Sequence, residues 1–125
     1  MQINSAKDLN VYQKAYGLAM DIFRISQRWP EEEKFALTSQ IRRSSRAVCG
    51  NLREAWAKRR YEAHFISKLT DADAENSETD TWLDFALDCN YISPEEHQRL
   101  TGECRHIGAM LGRMLIDPQP FLIRK

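Results

Sequence analysis

Apolar residues recur every three or four positions through most of this chain, which is the spacing that places them on one face of an α-helix. The clearest case is the stretch from Leu37 to Arg60. Turned by about 100° per residue, it gathers one apolar arc, which consists of Leu37, Ile41, Ser45, Val48, Leu52 and Ala55. We therefore expect a long amphipathic helix here, with this arc against the protein core.

The same stretch has two further arcs that differ in chemistry. Roughly opposite the core arc lie four basic residues, called the arginine row below: Arg42, Arg46, Arg53 and Arg60. Beside the core arc lie polar and very small residues, namely Gln40, Arg43, Ala47, Gly50, Asn51 and Glu54. Small residues allow another backbone to approach closely, so this third arc suits a contact with a neighbouring helix.

Periodic stretches that are poor in glycine predict four helices, over residues 8–28, 31–59, 62–89 and 94–116. Pro30 ends the first helix, and Ser93 with Glu96 forms a capping box that starts the fourth. Short turns between helices with one apolar face each favour an all-α, antiparallel, up-down-up-down four-helix bundle. The pattern thus predicts a single domain over residues 1–125, with an irregular C-terminal tail.

The third predicted helix carries a polar residue, Asn76, in the middle of its apolar face. Buried polar groups need hydrogen-bond partners, and we expect Gln40, Arg43 or Asn51 of the second helix to supply them. The boundary before the third helix is the least defined, because residues 55–65 contain no glycine, proline or good cap.

Composition narrows the class of protein. The chain has 125 residues, of which 42% are hydrophobic and 29% charged, as in a folded globular domain. It has no apolar run near the ~20 residues that span a membrane and no apolar signal segment at its start, so we expect a cytoplasmic protein without a membrane partner. The three cysteines form no CxxC pair and are expected to be reduced residues in or near the core.

Charge is balanced overall but unevenly distributed. Residues 34–68 contain nine basic and two acidic side chains, whereas residues 69–88 contain seven acidic and no basic ones. Such neighbouring segments can neutralise each other across helices or across subunits.

Candidate enzymatic or metal chemistry is weak. Glu103 and His106 have the Glu-x-x-His spacing of di-iron bundles, but those sites use two such motifs and no second copy is present. His64 and His97 have no nucleophile at a recognisable spacing. We therefore expect no enzyme, no cofactor and no metal site.

Two surfaces of the second helix remain as functional candidates, each with an alternative. The arginine row has the chemistry to bind RNA or DNA phosphates, or it is a solvated face partly neutralised by the acidic third helix. Gln40, Arg43, Asn51 and Glu54, together with Glu78 of the third helix, form what we call the polar strip. It is interpreted as a network that sets helix register or as a subunit interface. Trp56 and Trp82 lie away from the centres of their core faces, which favours self-association.

The segment LTSQIRRSSRAVCGNLREA resembles the signature of the four helix bundle proteins encoded within intervening sequences of bacterial 23S ribosomal RNA. That family is itself similar to the accessory variability proteins of diversity-generating retroelements. The segments DLNVYQKA and WPEEE extend the resemblance over almost the whole chain. The residues that match the motifs of helices two and three are Gln40, Arg42, Arg43, Asn51, Glu54, Glu78 and Leu83.

The resemblance implies an up-down four-helix protomer that assembles as a homopentamer, without enzymatic activity and with nucleic-acid binding as its role. Two departures concern local packing: Ala55, Trp56 and Ala57 replace a small residue followed by glycine, and Asn76 replaces an apolar residue. The expected function is an oligomeric interaction module that binds RNA or other nucleic acid through the arginine row. The alternative is a protein-binding scaffold or accessory subunit, for example of a reverse transcriptase.

Overall fold

The computed structural model describes residues 2–123, which contain four α-helices and no strand. The helices are α1 (Asn10–Ser26), α2 (Leu37–Ala57), α3 (Glu62–Asp88) and α4 (Pro94–Ile116). Single 3₁₀ turns precede α1 at Ala6–Asp8, precede α2 at Glu31–Glu33 and follow α4 at Gln119–Phe121. The prediction of an all-α four-helix protein is confirmed, and the capping box of Ser93 and Glu96 is present at the start of α4. None of the described helices is long and apolar enough to cross a membrane.

Side-chain pairs between neighbouring helices give the topology. Where two helices pack, moving forward along one helix means moving backward along the other. Ser44–Thr79 and Asn51–Lys68 show this for α2 and α3, and Asn76–Cys104 and Asp84–His97 show it for α3 and α4. Lys14–Glu103 and Asp21–Arg99 show it for α1 and α4. The short connection between α1 and α2 makes these two helices antiparallel as well. The bundle is therefore antiparallel and up-down-up-down.

All four helices contribute to one apolar core. Each member of the predicted core arc of α2 is buried, and the fully buried large side chains around it include Ile22, Phe65, Leu69, Leu83, Leu100, Ile107 and Leu111. Burial of each such side chain contributes roughly 1.5–3 kcal/mol, so packing is the main stabilising term. Cys49 and Cys104 lie in this core, whereas Cys89 is exposed because it follows the last residue of α3.

The second helix begins later than predicted, at Leu37 rather than at residue 31. The Glu33 carboxylate accepts a hydrogen bond from the Leu37 backbone N–H at 3.3 Å and another from the Tyr91 hydroxyl at 2.8 Å. Glu33 therefore lies outside α2 and satisfies one of the free N–H groups at its start. The carboxylates that suggested an early helix start instead form a separate 3₁₀ turn.

The second helix also ends earlier than predicted, at Ala57. The Arg59 side chain donates from Nε to the Trp56 carbonyl at 2.8 Å, and its guanidinium stacks over the Trp56 ring at 3.7 Å. The C-terminal tail crosses this turn: Ile123 donates its backbone N–H to the Arg59 carbonyl at 3.3 Å, and Phe121 stacks on Phe65 with ring centroids 6.3 Å apart. The apolar tail thus packs on its own bundle.

Asn76 is buried, but its partner lies on α4 and not on α2 as expected. Its Nδ2 donates to the Cys104 carbonyl at 2.8 Å. Gly108 lies beside it on α4, where a Cβ would be at an ordinary contact distance of 3.5 Å from Asn76 Nδ2. Asn76 therefore fixes the register between α3 and α4, and Gln40, Arg43 and Asn51 bond elsewhere.

Candidate nucleic-acid interface on the second helix

The part of the arginine row that lies on α2 is shorter than predicted. Arg46 and Arg53 are exposed on α2, two turns and roughly 10 Å apart along the axis. Arg60 is also exposed, but it lies in the turn after α2 because the helix ends at Ala57. Arg42 is only half-exposed.

Arg42 attaches α2 to the end of α1. Its Nε donates to Ser26 Oγ at 2.8 Å, its Nη2 donates to the Phe23 carbonyl at 3.5 Å, and its guanidinium lies 4.8 Å from the Phe23 ring centroid. A cation at this place also suits the negative end of the α1 dipole. Arg46 lies over the same ring at 5.7 Å. Phe23 therefore supports both arginines.

The charges of the row are unpaired. Within residues 2–123, none of its four arginines forms an ion pair, whereas Arg24, Arg28, Arg43 and Arg99 each pair with a carboxylate. The acidic residues of α3 pair with Arg43, Lys68 and His97 instead. The third helix therefore does not neutralise the row within one described protomer.

Part of the polar strip forms a cluster around Arg43. The guanidinium donates to the Glu75 carboxylate at 3.1 and 3.3 Å, to Glu78, and at 3.5 Å to Gln40 Oε1. Trp82 donates its indole N–H to Glu78 at 3.2 Å. Hydrogen bonds to Glu75 and then Glu78 raise the pKa of Arg43. Burial acts to raise the pKa of Glu78, but its bonds from Arg43 and Trp82 outweigh burial and the pKa is lowered.

The rest of the strip forms a second cluster around Lys68. Its ammonium lies 3.1 Å from Glu54, 3.6 Å from Asp71 and 3.3 Å from Asn51 Oδ1. The hydrogen bond to Glu54 is the main reason that the pKa of Lys68 is raised. Asn51 also donates to the Ala47 carbonyl at 3.0 Å. Both clusters join α2 to α3 within one protomer, which is the arrangement expected of a register network.

Four members of these clusters were not among the predicted site residues: Lys68, Asp71, Glu75 and Trp82. The signal that points to them is the change from a basic to an acidic segment near residue 68, because oppositely charged helices that pack side by side form ion pairs. Trp56 and Trp82 are both half-buried, one beneath Arg59 and the other bonded to Glu78. Contacts within the protomer therefore cover most of the surface of each tryptophan.

The two residues of the Glu-x-x-His pattern, Glu103 and His106, differ in their contacts. Glu103 pairs with Lys14 at 3.0 Å, and His106 is exposed. Among residues 2–123, no group of three histidine, cysteine, aspartate or glutamate side chains is arranged to hold a metal ion.

Comparison with known proteins finds a matching family model and similar solved structures. A family model described as 23S rRNA-intervening sequence protein matches residues 7–113. Among solved structures, the chain is similar to a protein of unknown function from the S23 ribosomal protein family of Bacteroides thetaiotaomicron, with 29% identity and a TM-score of 0.76 over 84% of this chain and 94% of that one. A search of curated proteins finds no match.

Proposed function

Because this chain belongs to the 23S rRNA-intervening sequence protein family, we propose that it is a non-enzymatic interaction module that binds RNA through the arginine row. The resemblance inferred from the motif of the second helix is thereby confirmed at the level of the family. Membership of this family does not by itself establish that the arginine row binds RNA.

The observation that carries the proposal is the free positive charge of Arg46, Arg53 and Arg60. All three are exposed, and within residues 2–123 none pairs with a carboxylate. A guanidinium can donate two parallel hydrogen bonds to a phosphate. One strand of a duplex carries a phosphate about every 3.4 Å along its axis, so a row of this length is matched to several phosphates of one backbone.

A titration of a fluorescein-labelled RNA stem-loop, followed by fluorescence anisotropy, tests the proposal. With three phosphate contacts, affinity should fall roughly fortyfold between 50 and 200 mM salt. The double variant Arg46→Gln/Arg53→Gln should bind at least tenfold more weakly and lose most of the salt dependence. Arg24→Gln/Arg99→Gln is the matched control, because it removes the same charge from two arginines that pair with Asp21. Equal affinities for the two double variants would reject the row as the RNA-binding surface.

Self-association is a second part of the proposal, with the pentamer implied by the family resemblance as the expected assembly. It is supported by an aromatic pair on α3, Trp82 and Phe85, whose ring centroids are 5.9 Å apart. The Phe85 side chain is 55% exposed in the protomer, and large exposed apolar side chains favour association. Light scattering after size exclusion should give a mass above that of the protomer, reduced by Phe85→Ser. A monomeric wild-type protein would overturn this part.

A protein-binding scaffold is the competing function, and one observation favours it. Phe35, in the turn before α2, is 88% exposed, as expected for an aromatic anchor that awaits a protein surface. The two functions differ in their response to salt. A stoichiometric protein partner that remains bound at 1 M salt, with no RNA bound at 50 mM salt, would favour the scaffold over RNA binding.

A further inference from the structure

A cavity of about 320 Å³ lies where α1 ends and α2 begins. The residues that matter in its lining are Ser26, Trp29, Glu31, Lys34, Thr38 and Arg42. Arg42 belongs both to this lining and to the arginine row, so the cavity lies at one end of the row. Most of the side chains named here carry hydrogen-bond donors.

Two positive charges and a hydroxyl group in the lining belong to residues just before α2 and in its first turns. Lys34, Thr38 and Arg42 follow each other at intervals of four residues, and all three line the cavity. The one carboxylate in the lining, Glu31, is 88% exposed as a side chain and lies 3.8 Å from the Lys34 ammonium, so solvent screens that pair strongly. The side-chain charges of the lining therefore sum to a net positive charge.

Arg42 is already oriented for binding. Its Nε and Nη2 are held by Ser26 and the Phe23 carbonyl, while Nη1 bonds to no group among residues 2–123. A guanidinium that is fixed in this way loses little conformational entropy when it binds an anion. The same contacts make Arg42 part of the α1–α2 packing, so Lys34 is the better position for a test.

Trp29 gives an independent indication that an acceptor is missing. Trp29 is one of the residues that line the cavity and is 8% exposed. Its indole Nε1–H is buried without a hydrogen-bond partner in the described part of the chain. An unsatisfied buried donor destabilises the folded protein, and an acceptor oxygen that bonded to it would remove this cost. Tyr91 packs against the indole at 5.8 Å between ring centroids, which limits where the ring can turn.

We propose that this cavity binds a phosphate group. Two cations, a hydroxyl and an unused indole N–H suit an anion with several acceptor oxygens and more than one negative charge. The inference rests on the proposed function for the source of the phosphate, because the shared Arg42 makes the cavity continuous with the surface assigned to RNA. That source is a phosphate of the bound RNA, at its 5′ end or within the strand, and free phosphate offers the same chemistry.

The cavity is tested without RNA by nuclear magnetic resonance of the indole N–H groups, with the Trp29 signal assigned from Trp29→Phe. Addition of inorganic phosphate should shift the Trp29 signal in a saturable way, compared with sodium chloride of equal ionic strength. Lys34→Gln should weaken this response about tenfold or more. Lys58→Gln is the control, since Lys58 is an exposed lysine at the other end of α2. No shift in the wild-type protein, or equal responses in both variants, would overturn the site.

The RNA arm compares the same stem-loop with a 5′-phosphate and with a 5′-hydroxyl. A terminal phosphate in the cavity should give about a tenfold preference for the phosphorylated RNA, and Lys34→Gln should abolish the preference while the 5′-hydroxyl RNA still binds. An equal Trp29 shift with both RNAs assigns the site to an internal phosphate. If both RNAs bind but neither moves the Trp29 signal, the cavity inference fails and the proposed function stands. If phosphate shifts the signal and no RNA binds, the proposed function fails and free phosphate is the ligand.

Discussion

The two sides of α2 use arginine in opposite ways. Arg43 and Arg46 are three residues apart, yet Arg43 is bonded to Glu75 and Glu78 of α3, whereas Arg46 lies over the ring of Phe23 and forms no ion pair within residues 2–123. The charge of Arg43 is neutralised within the protomer and holds two helices in register. The charge of Arg46 remains exposed on the described surface of the protomer.

The cause of this difference lies in the helices that face α2. The α3 side presents carboxylates, because α3 contains all seven acidic residues of the segment 69–88. The α1 side presents Phe23 and Ser26, which hold a guanidinium without neutralising it. A basic helix in a protein of zero net charge therefore keeps a free cationic surface only where its neighbour is uncharged.

The largest effect on stability should come from the buried centre of the α2–α3 side. The hydroxyls of Ser44 and Thr79 lie 2.8 Å apart, and both residues are 0% exposed. Thr79→Val should lower the free energy of unfolding by about 1–2 kcal/mol, because it removes bonds to Ser44 and to the Glu75 carbonyl. Urea denaturation followed by circular dichroism measures the change.

Thr81→Val is the matched control for that substitution. Thr81 bonds to the Ser77 carbonyl in the same way but is exposed, so water can replace its bond and the change should stay within about 0.5 kcal/mol. A similar decrease in the free energy of unfolding in the two variants would mean that the buried hydroxyl pair does not stabilise the packing of α3 on α2.

Arg43→Ala should have the next largest effect and separates the two sides of α2 directly. The side chain is 47% exposed, so solvent screening limits the expected loss of stability to about 1 kcal/mol. RNA affinity should stay within about twofold of wild type, since this charge is already neutralised by Glu75 and Glu78. A tenfold loss of RNA affinity in Arg43→Ala, with stability unchanged, would reverse the assignment of the two sides.

Acid should weaken the same side of α2 by a smaller amount. The lowered pKa of Glu78 means that its carboxylate stabilises the folded state fully above the ordinary value of 4.5, and that this contribution is lost as pH falls from there through the folded pKa. Glu96, whose pKa is lowered mainly by Arg28, behaves in the same direction. Urea denaturation at pH 6, 4.5 and 3.5 should show a steeper loss for wild type than for Arg43→Ala. Parallel curves for the two proteins would show that Arg43 does not couple to Glu78.

Much of the fold followed from periodicity, because burial of one helix face leaves a repeating apolar pattern that can be read without a structure. The core arc of α2 and the four-helix arrangement were predicted on that basis. Helix ends were less accessible: Glu33 and Arg59 bond to backbone groups at the two ends of α2, and such bonds depend on where the chain turns. For this reason Arg60 was predicted to lie on the arginine face of α2, whereas it lies in the turn after the helix.

Periodicity also cannot say which neighbour a polar face meets. Asn76 was expected to bond to α2, but it faces α4 and donates to the Cys104 carbonyl. The polar strip was predicted as one network and consists of two, each centred on a cation of a different helix. The unsatisfied indole N–H of Trp29 had no sequence signal, because it depends on tertiary packing, including the contact with Tyr91.

The smallest effect should distinguish two members of the arginine row from each other. Arg46→Gln should lower the free energy of unfolding by about 0.5 kcal/mol, because its guanidinium lies over the Phe23 ring at 5.7 Å at an exposed site. Arg53→Gln should change stability by less, since no ion pair or aromatic contact involves Arg53 in the described part of the chain. Thermal and urea denaturation of both variants, with Phe23→Leu as the control that removes the ring, resolves the difference. If Arg53→Gln destabilised the protein as much as Arg43→Ala, the row would be bonded within the protein like the α3 side, and the contrast between the two sides of α2 would disappear.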